Sequence, residues 1–254
     1  MKYVRYIKDK KLFWGLLEEN KIIEMESSPF EGSVLTNRTV KKEGVKIVAP
    51  VAPSKILCVG QNYKEHIKEL NREIPTSPVL FLKPPTAIIG PEETIIMPPL
   101  SKRVDYEGEL AVIIKKEASY IKTKEVKDYI LGYTCANDVT ARDLQPAIGQ
   151  WTIAKGFDTF LPLGPAIESE IDPTNLEIRT LHNNKVVQSA NTNEMIFDIY
   201  YLVSYFSQIM TLLPGDVILT GTPSGIGPMQ DSDEIVVQIE GVGKLRNFVK
   251  RESY

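Results

Sequence analysis

Three acidic residues occupy alternating positions in residues 104–110, which read Val-Asp-Tyr-Glu-Gly-Glu-Leu. Side chains two residues apart in a β-strand point to the same face, so Asp105, Glu107 and Glu109 would lie together. An apolar run follows directly, and carboxylates that lose water there would repel one another. A bound cation would relieve that repulsion, whereas a strand face open to water would need none. This segment alone leaves both interpretations open.

A second acidic position favours the cation. Asp138 follows residues 133–136, an apolar stretch with the composition of a buried strand. With Glu107 and Glu109 it offers only oxygen ligands, a set that suits Mg²⁺ or Mn²⁺, with Ca²⁺ as a third option. The chain has two histidines and two separated cysteines, so a zinc site is not favoured.

Three further groups fit acid–base chemistry and anion binding. His66 and Glu69 are three residues apart, on one face of a helix, where the carboxylate would orient the imidazole as a general base. The alternative is a surface helix with an incidental pair. Lys155 would stabilise an oxyanion beside a metal, although most lysines are simply solvated. Thr222, in a glycine-rich loop, would bind a carboxylate unless that loop is a plain turn.

The elements that position these groups are predicted to be mostly short strands. Residues 1–50 alternate apolar stretches with polar turns, and a proline-containing linker, residues 49–53, follows them. We therefore predict a small amino-terminal β domain, residues 1–52, and a second domain, residues 53–254.

Strands also outnumber helices in the second domain. The apolar patterns predict strands at residues 56–59, 79–82, 87–89, 104–114, 133–136 and 217–220. They predict helices at residues 62–72, 123–131 and 196–213. Because helices and strands do not alternate regularly, the pattern favours an α+β fold, mostly β, arranged as a mixed β-sandwich roll.

Composition excludes several classes of protein. A net charge of −3 over 254 residues argues against general affinity for nucleic acid or anionic membranes. No apolar run approaches the roughly 18 residues of a membrane span, and the first residues lack the apolar core of a signal peptide. Cys58 and Cys135 lie in apolar stretches and are expected to be buried free thiols. We expect a cytoplasmic protein that binds neither nucleic acid nor membranes.

Five motifs, in this order, resemble the fumarylacetoacetate hydrolase family, in its acylpyruvase-like and 2-hydroxyhepta-2,4-diene-1,7-dioate isomerase-like branch. They are Gly60-x-Asn62-Tyr63-x-x-His66-x-x-Glu69, Asp105-Tyr106-Glu107-x-Glu109-Leu110, Asn137-Asp138-Val139-Thr140-Ala141-Arg142-Asp143-Leu144-Gln145, Lys155-Gly156-Phe157-Asp158, and Gly221-Thr222-Pro223-x-Gly225-x-Gly227. Gln61 departs from the leucine that is more usual in the first motif. The resemblance covers about residues 54–251.

The resemblance implies a β-sandwich roll that forms a homodimer and binds Mg²⁺ or Mn²⁺. The residues that match the family's metal ligands are Glu107, Glu109 and Asp138. It also implies that His66 and Glu69 lie on a mobile lid and activate a water. The matching substrate-binding residues are Lys155, Thr222, Arg142 and Gln145, to which we add Asp158 from the same motifs.

These assignments predict an enzyme that acts on a small 2-oxo acid through an enolate. The primary expectation is hydrolysis of a carbon–carbon bond in 2,4-dioxo acids, the acylpyruvates. Isomerisation or decarboxylation of 2-hydroxyhepta-2,4-diene-1,7-dioate, and decarboxylation or tautomerisation of oxaloacetate, would use the same stabilised enolate and remain alternatives. A metal-stabilised structural protein without turnover is the alternative outside enzymes.

Overall fold

The computed structural model describes residues 1–32, 34–147 and 149–252. β-Strands dominate the described chain. Their bounds are β1 Lys2–Lys8, β2 Lys11–Glu18, β3 Lys21–Met25, β4 Leu35–Lys41, β5 Lys46–Val48, β6 Ile56–Gly60, β7 Val79–Lys83, β8 Ile88–Ile89, β9 Thr94–Met97, β10 Val104–Tyr106, β11 Gly108–Ile114, β12 Ile130–Asn137, β13 Thr140–Ala141, β14 Leu161–Glu168, β15 Glu177–His182, β16 Lys185–Asn191, β17 Val217–Leu219, β18 Gly227–Pro228, β19 Glu234–Ile239 and β20 Gly243–Arg251.

The helices are few and short. The α-helices are α1 Lys64–Glu69, α2 Thr152–Lys155 and α3 Ile199–Ile209. Turns of 3₁₀-helix cover Lys42–Gly44, Pro85–Ala87, Thr123–Tyr129, Arg142–Leu144 and Thr192–Glu194. In the described part of the chain, no helix is both long and apolar enough to cross a membrane.

The large sheet has twelve strands in the order β4-β3-β2-β1-β14-β12-β11-β17-β6-β7, with β5 on β1 and β8 on β14. The amino-terminal strands join it through the antiparallel pair β1–β14, in which Tyr3 faces Ile167. The segment before residue 53 therefore shares a sheet with the remainder of the chain. The domain division itself stays a prediction.

A second sheet, β16-β15-β19-β20-β9, packs against the large one. The main apolar core includes Val112 of β11, Ile178 of β15 and Val237 of β19, together with Phe206 of α3. This arrangement confirms the predicted mostly β fold of the α+β class, with mixed sheets around a shared core. Helix α3 covers one side, and Asp198 caps it by accepting a hydrogen bond from the Tyr201 amide at 2.8 Å.

Two local predictions were wrong. The strand expected over residues 104–114 is broken at Glu107: β10 belongs to a small sheet with β13 and β18, and β11 belongs to the large sheet. The helix expected over residues 123–131 is the 3₁₀ segment Thr123–Tyr129, and Gly132 lies inside β12 instead of ending a helix. A Cβ at Gly132 would clash with the Glu168 backbone, so close strand packing explains that glycine.

Candidate active site

Three buried carboxylates meet where β10, β11 and β12 come together. Glu107 lies at the break between β10 and β11, Glu109 lies in β11, and Asp138 follows β12. One oxygen from each lies within 4.8 Å of the others. We call these residues the acidic triad. Antiparallel pairing of β11 with β12 brings the three together, and the Asp138 amide donates to the Glu107 carbonyl oxygen at 2.8 Å.

Glu107 and Glu109 of the acidic triad differ in how readily they ionise. Burial, followed by repulsion from Asp138 and Glu107, raises the pKa of Glu109 well above its usual range. Burial alone would also raise the pKa of Glu107, but Lys155 and Arg142 outweigh it and hold that pKa well below its usual range. A buried, all-oxygen cluster in which one carboxyl resists ionisation fits a divalent cation, since a cation would stabilise all three anions.

Two buried lysines reach into the acidic triad. Lys155, in α2, donates to Asp138 Oδ2 at 2.5 Å and to Glu107 Oε2 at 2.9 Å. Lys83, at the end of β7, donates to Asp138 Oδ1 at 2.7 Å and to the Val139 carbonyl oxygen at 3.0 Å. Burial alone would lower the pKa of Lys155, but Asp138 and Glu107 outweigh it and raise that pKa. Lys155 is therefore a fixed cation at the centre of the site.

Arg142 connects the acidic triad to its surroundings. Its guanidinium donates to Glu107, to Asp105 Oδ2 at 2.9 Å and to Gln145 Oε1 at 2.5 Å. Asp105 also accepts from Arg103 Nε at 2.9 Å. Asp105 therefore pairs with two arginines and does not join the triad, although strand alternation had placed it with Glu107 and Glu109.

His66 and Glu69 form the expected pair on α1. His66 Nδ1 lies 3.0 Å from Glu69 Oε2, and Glu69 Oε1 accepts a hydrogen bond from the Gly225 amide at 3.1 Å. Burial alone would raise the pKa of Glu69, but the hydrogen bonds from His66 and Gly225 outweigh it and lower that pKa. Glu69 is therefore an ionised partner that orients the imidazole and ties α1 to the glycine-rich loop.

The glycine-rich loop, residues 221–227, binds the side-chain carboxylate of Glu109. The Gly221 amide donates to Glu109 Oε2 at 2.7 Å, and Thr222 Oγ1 donates to the Gly108 carbonyl oxygen at 3.0 Å. Gly221 has φ of +99° and packs against Asn62, where a Cβ would come within 2.7 Å of the Asn62 Cβ. A glycine is therefore required there.

One cavity collects these groups. Its lining consists of Val59, Gly60, Gln61, His66, Leu70, Arg72, Phe81, Glu107, Glu109, Asp138, Arg142, Gln145, Trp151, Lys155 and Thr222. It encloses about 20 Å³. That volume is close to what a single water needs, so the side chains that line the cavity nearly fill it.

Most of the predicted site residues come together around this cavity, including His66, Lys155, Arg142, Gln145 and Thr222. Asp158 does not: it is exposed and lines a separate surface depression with residues such as Pro98 and Thr159. We therefore leave Asp158 out of the site. It comes three residues after Lys155, beyond the end of α2, and the chain has left the cavity by then.

Lys83 and Trp151 are among the residues of the site that sequence reasoning missed. Lys83 ends an apolar strand and precedes Pro84 and Pro85, which is the only signal that it enters the core rather than the solvent. Trp151 lies before α2 without a motif of its own, and its 7% exposure appears only in the structure.

Comparison with known proteins defines the class. Residues 55–250 match the family model described as fumarylacetoacetate (FAA) hydrolase C-terminal, and residues 1–50 match one described as Rv2993c-like, N-terminal. The chain belongs to the fumarylacetoacetate hydrolase family, whose members are enzymes.

Two relatives illustrate the range of sequences. Protein MJ1656 of Methanocaldococcus jannaschii is 50% identical over 240 residues, covering 94% of this chain and 98% of the relative. The mitochondrial oxaloacetate tautomerase Fahd2a of Rattus norvegicus is 44% identical over 222 residues, covering 83% of this chain and 71% of the relative.

Two solved structures share the fold over the full length of both chains. The 2-hydroxyhepta-2,4-diene-1,7-dioate isomerase from Mycobacterium marinum superposes with a TM-score of 0.93 at 41% identity, covering 100% of each chain. Maleylpyruvate hydrolase from Sphingobium sp. SYK-6, solved with manganese(II) and pyruvate, has a TM-score of 0.83 at 28% identity, also covering 100% of each chain. Isomerases, hydrolases and tautomerases thus share this architecture.

Proposed function

We propose that this protein is a divalent-metal-dependent enzyme that hydrolyses a carbon–carbon bond in small 2,4-dioxo acids through an enolate. The observation that carries the proposal is one cavity lined by the acidic triad, Lys155 and His66, with Glu69 bound to the His66 imidazole. The acidic triad and Lys155 can stabilise the negative charge of the reaction, and the His66–Glu69 pair can transfer a proton.

Charge stabilisation is assigned to the acidic triad and Lys155. A Mg²⁺ or Mn²⁺ ion on Glu107, Glu109 and Asp138 would supply Lewis acidity at the carboxylate and the 2-oxo oxygen of the substrate. Lys155 adds a second positive charge in the same cavity. Because Lys155 is almost fully buried, that charge acts in a medium where electrostatic interactions are strong.

Proton transfer is assigned to His66. With its Nδ1 held by Glu69, the imidazole takes a proton from water, whose oxygen bonds to C4 of the substrate. The C3–C4 bond then breaks, and its electron pair passes into the enolate of pyruvate. A proton adds to C3, so that one dioxo acid and one water give a carboxylic acid and pyruvate.

Entry of a substrate requires the cavity to open. A space of about 20 Å³ does not admit a 2,4-dioxo acid. Helix α1 contributes His66 to the cavity wall, and the hydrogen bond from the Gly225 amide to Glu69 ties it to the glycine-rich loop. We expect α1 to move when substrate enters, as the family resemblance implies for a lid.

The test is pyruvate release from acetylpyruvate, measured with Mn²⁺ or Mg²⁺ and with excess chelator. Metal-dependent release is the expected result. Full activity of the unmodified enzyme in excess chelator would overturn the metal assignment. Absence of pyruvate release in every metal would overturn hydrolysis.

A second candidate reaction is tautomerisation of oxaloacetate or isomerisation of an unsaturated 2-hydroxy diacid. The names of the rat relative and the Mycobacterium marinum structure favour it. Both reactions move a proton on a stabilised enolate without cleaving a carbon–carbon bond. The decay of enol absorbance in oxaloacetate solutions, followed with and without the enzyme, distinguishes tautomerisation from hydrolysis.

A further inference from the structure

Gln188 is a buried side-chain amide of the second sheet, in β16. The register between β15 and β16 shifts just before it, so that Val187 is an extra residue in β16. A bulge of this kind bends its strand and redirects the side chains beside it. The Gln188 side chain therefore points toward the large sheet, while that of Ser189 is exposed.

Gln188 uses both ends of its amide in hydrogen bonds. Its Oε1 accepts from the Gly108 amide at 2.9 Å. Its Nε2 donates to Thr222 Oγ1 and to the Pro223 carbonyl oxygen, each at 2.8 Å. A backbone amide can only donate and a carbonyl oxygen can only accept, so these bonds require a side chain that has both an acceptor and donors. Glutamine supplies this combination, and an apolar side chain of the same length supplies none of it.

The first partner, Gly108, is the backbone link between two carboxylates of the acidic triad, Glu107 and Glu109. The chain passes from β10 to β11 at this point, and two side chains bind its amides. Asn137 Oδ1 accepts from the Glu107 amide at 2.8 Å, and Gln188 accepts from the Gly108 amide. Buried backbone N–H groups need such partners. Gln188 therefore fixes the backbone from which both carboxylates extend.

The other partners, Thr222 and Pro223, belong to the glycine-rich loop. This loop binds Glu109 through the Gly221 amide and Glu69 through the Gly225 amide. A Cβ at Gly225, where φ is +96°, would overlap with the backbone of the β16 bulge, so the loop lies directly against that strand. Through the loop, β16 thus contacts a carboxylate of the acidic triad and the partner of the His66 imidazole.

We propose that Gln188 is a positioning residue, which holds the acidic triad and the His66–Glu69 pair in register with each other. The inference rests on the proposed function, because that register matters only if both groups act on one substrate. Gln188 is not among the described residues that line the cavity. It acts on the carboxylates through Gly108, and on Glu69 through the glycine-rich loop.

The test compares Gln188→Met with Asn247→Leu. Methionine has nearly the size of glutamine and makes none of its three hydrogen bonds. Asn247 is a matched control on β20: both amides are 1% exposed, and Asn247 Nδ2 donates to the carbonyl oxygens of Gly90 and Glu93 at 2.8 and 2.9 Å. Both variants should unfold at a lower temperature than the unmodified protein, because each leaves buried backbone groups without a partner.

The first measurement is isothermal titration of the metal-free proteins with Mn²⁺ alone, well below their unfolding temperatures. Gln188→Met should weaken Mn²⁺ binding roughly 10- to 100-fold, the usual effect of removing a group that orients metal ligands. Asn247→Leu should bind Mn²⁺ as tightly as the unmodified protein. Gln188→Asn, a milder change, should lie between them, because the shorter amide reaches either Gly108 or the loop but not both.

The second measurement is the rate of pyruvate release from acetylpyruvate at saturating Mn²⁺. All variants then carry the same metal, so the remaining differences report on the connection to Glu69. In Gln188→Met, kcat should fall roughly tenfold or more, because misplaced reacting groups slow the chemical step. KM should change by less than about threefold, since Gln188 does not bind the substrate. Asn247→Leu should keep its kcat.

Two outcomes would overturn the role of Gln188 at the acidic triad: an unchanged Mn²⁺ affinity in Gln188→Met, or an equal loss of affinity in Asn247→Leu. Unchanged kcat in Gln188→Met at saturating Mn²⁺ would overturn the connection to Glu69. The proposed reaction fails separately. If Gln188→Met weakens Mn²⁺ binding in a protein that releases no pyruvate from acetylpyruvate, hydrolysis is removed and the role of Gln188 in holding the carboxylates stands.

Discussion

Lys155 donates a hydrogen bond to Asp138 across 2.5 Å, in the middle of the carboxylates that we propose to bind a divalent cation. The Lys155 ammonium therefore lies close to the position that we propose for the metal. It also partly neutralises the acidic triad, so the metal-free protein does not carry three unbalanced buried charges. In the proposed metal-bound enzyme, Lys155 and the metal would stabilise the same carboxylates.

This sharing makes the Lys155→Met variant informative. Removal of one partner from a buried ion pair typically costs about 3–5 kcal/mol, so the metal-free variant should unfold at a lower temperature than the unmodified protein. Mn²⁺ should then raise its unfolding temperature by more, because the cation replaces a missing charge. Thermal unfolding with Mn²⁺ and with chelator measures both effects. An equal Mn²⁺ shift in the two proteins would contradict the prediction.

Glu109→Gln should have the opposite effect on the metal-free protein. Burial and the neighbouring carboxylates raise the pKa of Glu109, so its ionised form destabilises the fold, and a neutral amide should match or exceed its stability at pH 7. The same change removes a ligand, and the Mn²⁺-induced rise in unfolding temperature should disappear. Glu24→Gln, at a buried glutamate that bonds Tyr6, should keep that rise. Retention of the rise in Glu109→Gln would refute its role as a ligand.

His66→Asn should reduce turnover while it spares metal binding. A positioned general base contributes roughly 100- to 10,000-fold, and kcat should fall by that amount. The Mn²⁺-induced rise in unfolding temperature should not change. The control is His182→Asn, because His182, at the end of β15, bonds Asp233 at 2.6 Å and is outside the cavity lining. A fully active His66→Asn enzyme would exclude His66 as the base.

Gly108→Ala tests how the second sheet holds the acidic triad. A Cβ at Gly108 would overlap with Thr180 Oγ1, which is fully buried on β15. Relief of the overlap requires a new rotamer of Thr180 or a shift of β11 or β15, and Glu107 and Glu109 flank the substituted position. We expect destabilisation of roughly 1–3 kcal/mol and weaker Mn²⁺ binding. Adding Thr180→Ala should recover part of both losses, and no recovery would place the cost elsewhere.

Asp233 predicts a dependence of stability on pH. Burial alone would raise its pKa, but hydrogen bonds from Asn183, the Gln230 amide and His182 outweigh it and hold the pKa below 3.8. Because the folded-state pKa is the lower one, the stabilisation is complete above about pH 4 and is lost as pH falls through the folded-state pKa. Asp233→Asn should cost about 1–2 kcal/mol at pH 5, by denaturant unfolding, and progressively less toward pH 2.5. A constant difference over that range would disprove the assignment.

Alternation along residues 104–110 correctly brought Glu107 and Glu109 together, because the side chains keep their spacing across the break in the strand. It could not place Asp105, because the position of Arg142 depends on the pairing of β10 with β13. The contact between Arg142 and Asp105 joins residues 37 positions apart in the chain. A local sequence pattern carries no information about a contact between residues so far apart in the chain.

The buried positions of Lys155 and Lys83 could not be predicted from local sequence patterns either. Lys155 was a candidate only because it lay in a motif, and its buried contact with Glu107 joins residues 48 apart. Lys83 had no motif, and its contact with Asp138 joins residues 55 apart. The mostly β fold was predictable, since alternation and turns are local, while the ends of short helices depended on tertiary contacts.

The parallel pairing of β6 with β17 has a consequence for synthesis of the protein. Asn62, after β6, bonds the Thr220 carbonyl oxygen after β17, and these residues are 158 apart. At roughly 5–20 residues per second, a ribosome needs on the order of ten seconds or more to make the intervening chain. During that time β17 has not been made, so one edge of β6 is unpaired in the nascent chain and the active site is incomplete. Activity therefore begins only when nearly the entire polypeptide has emerged.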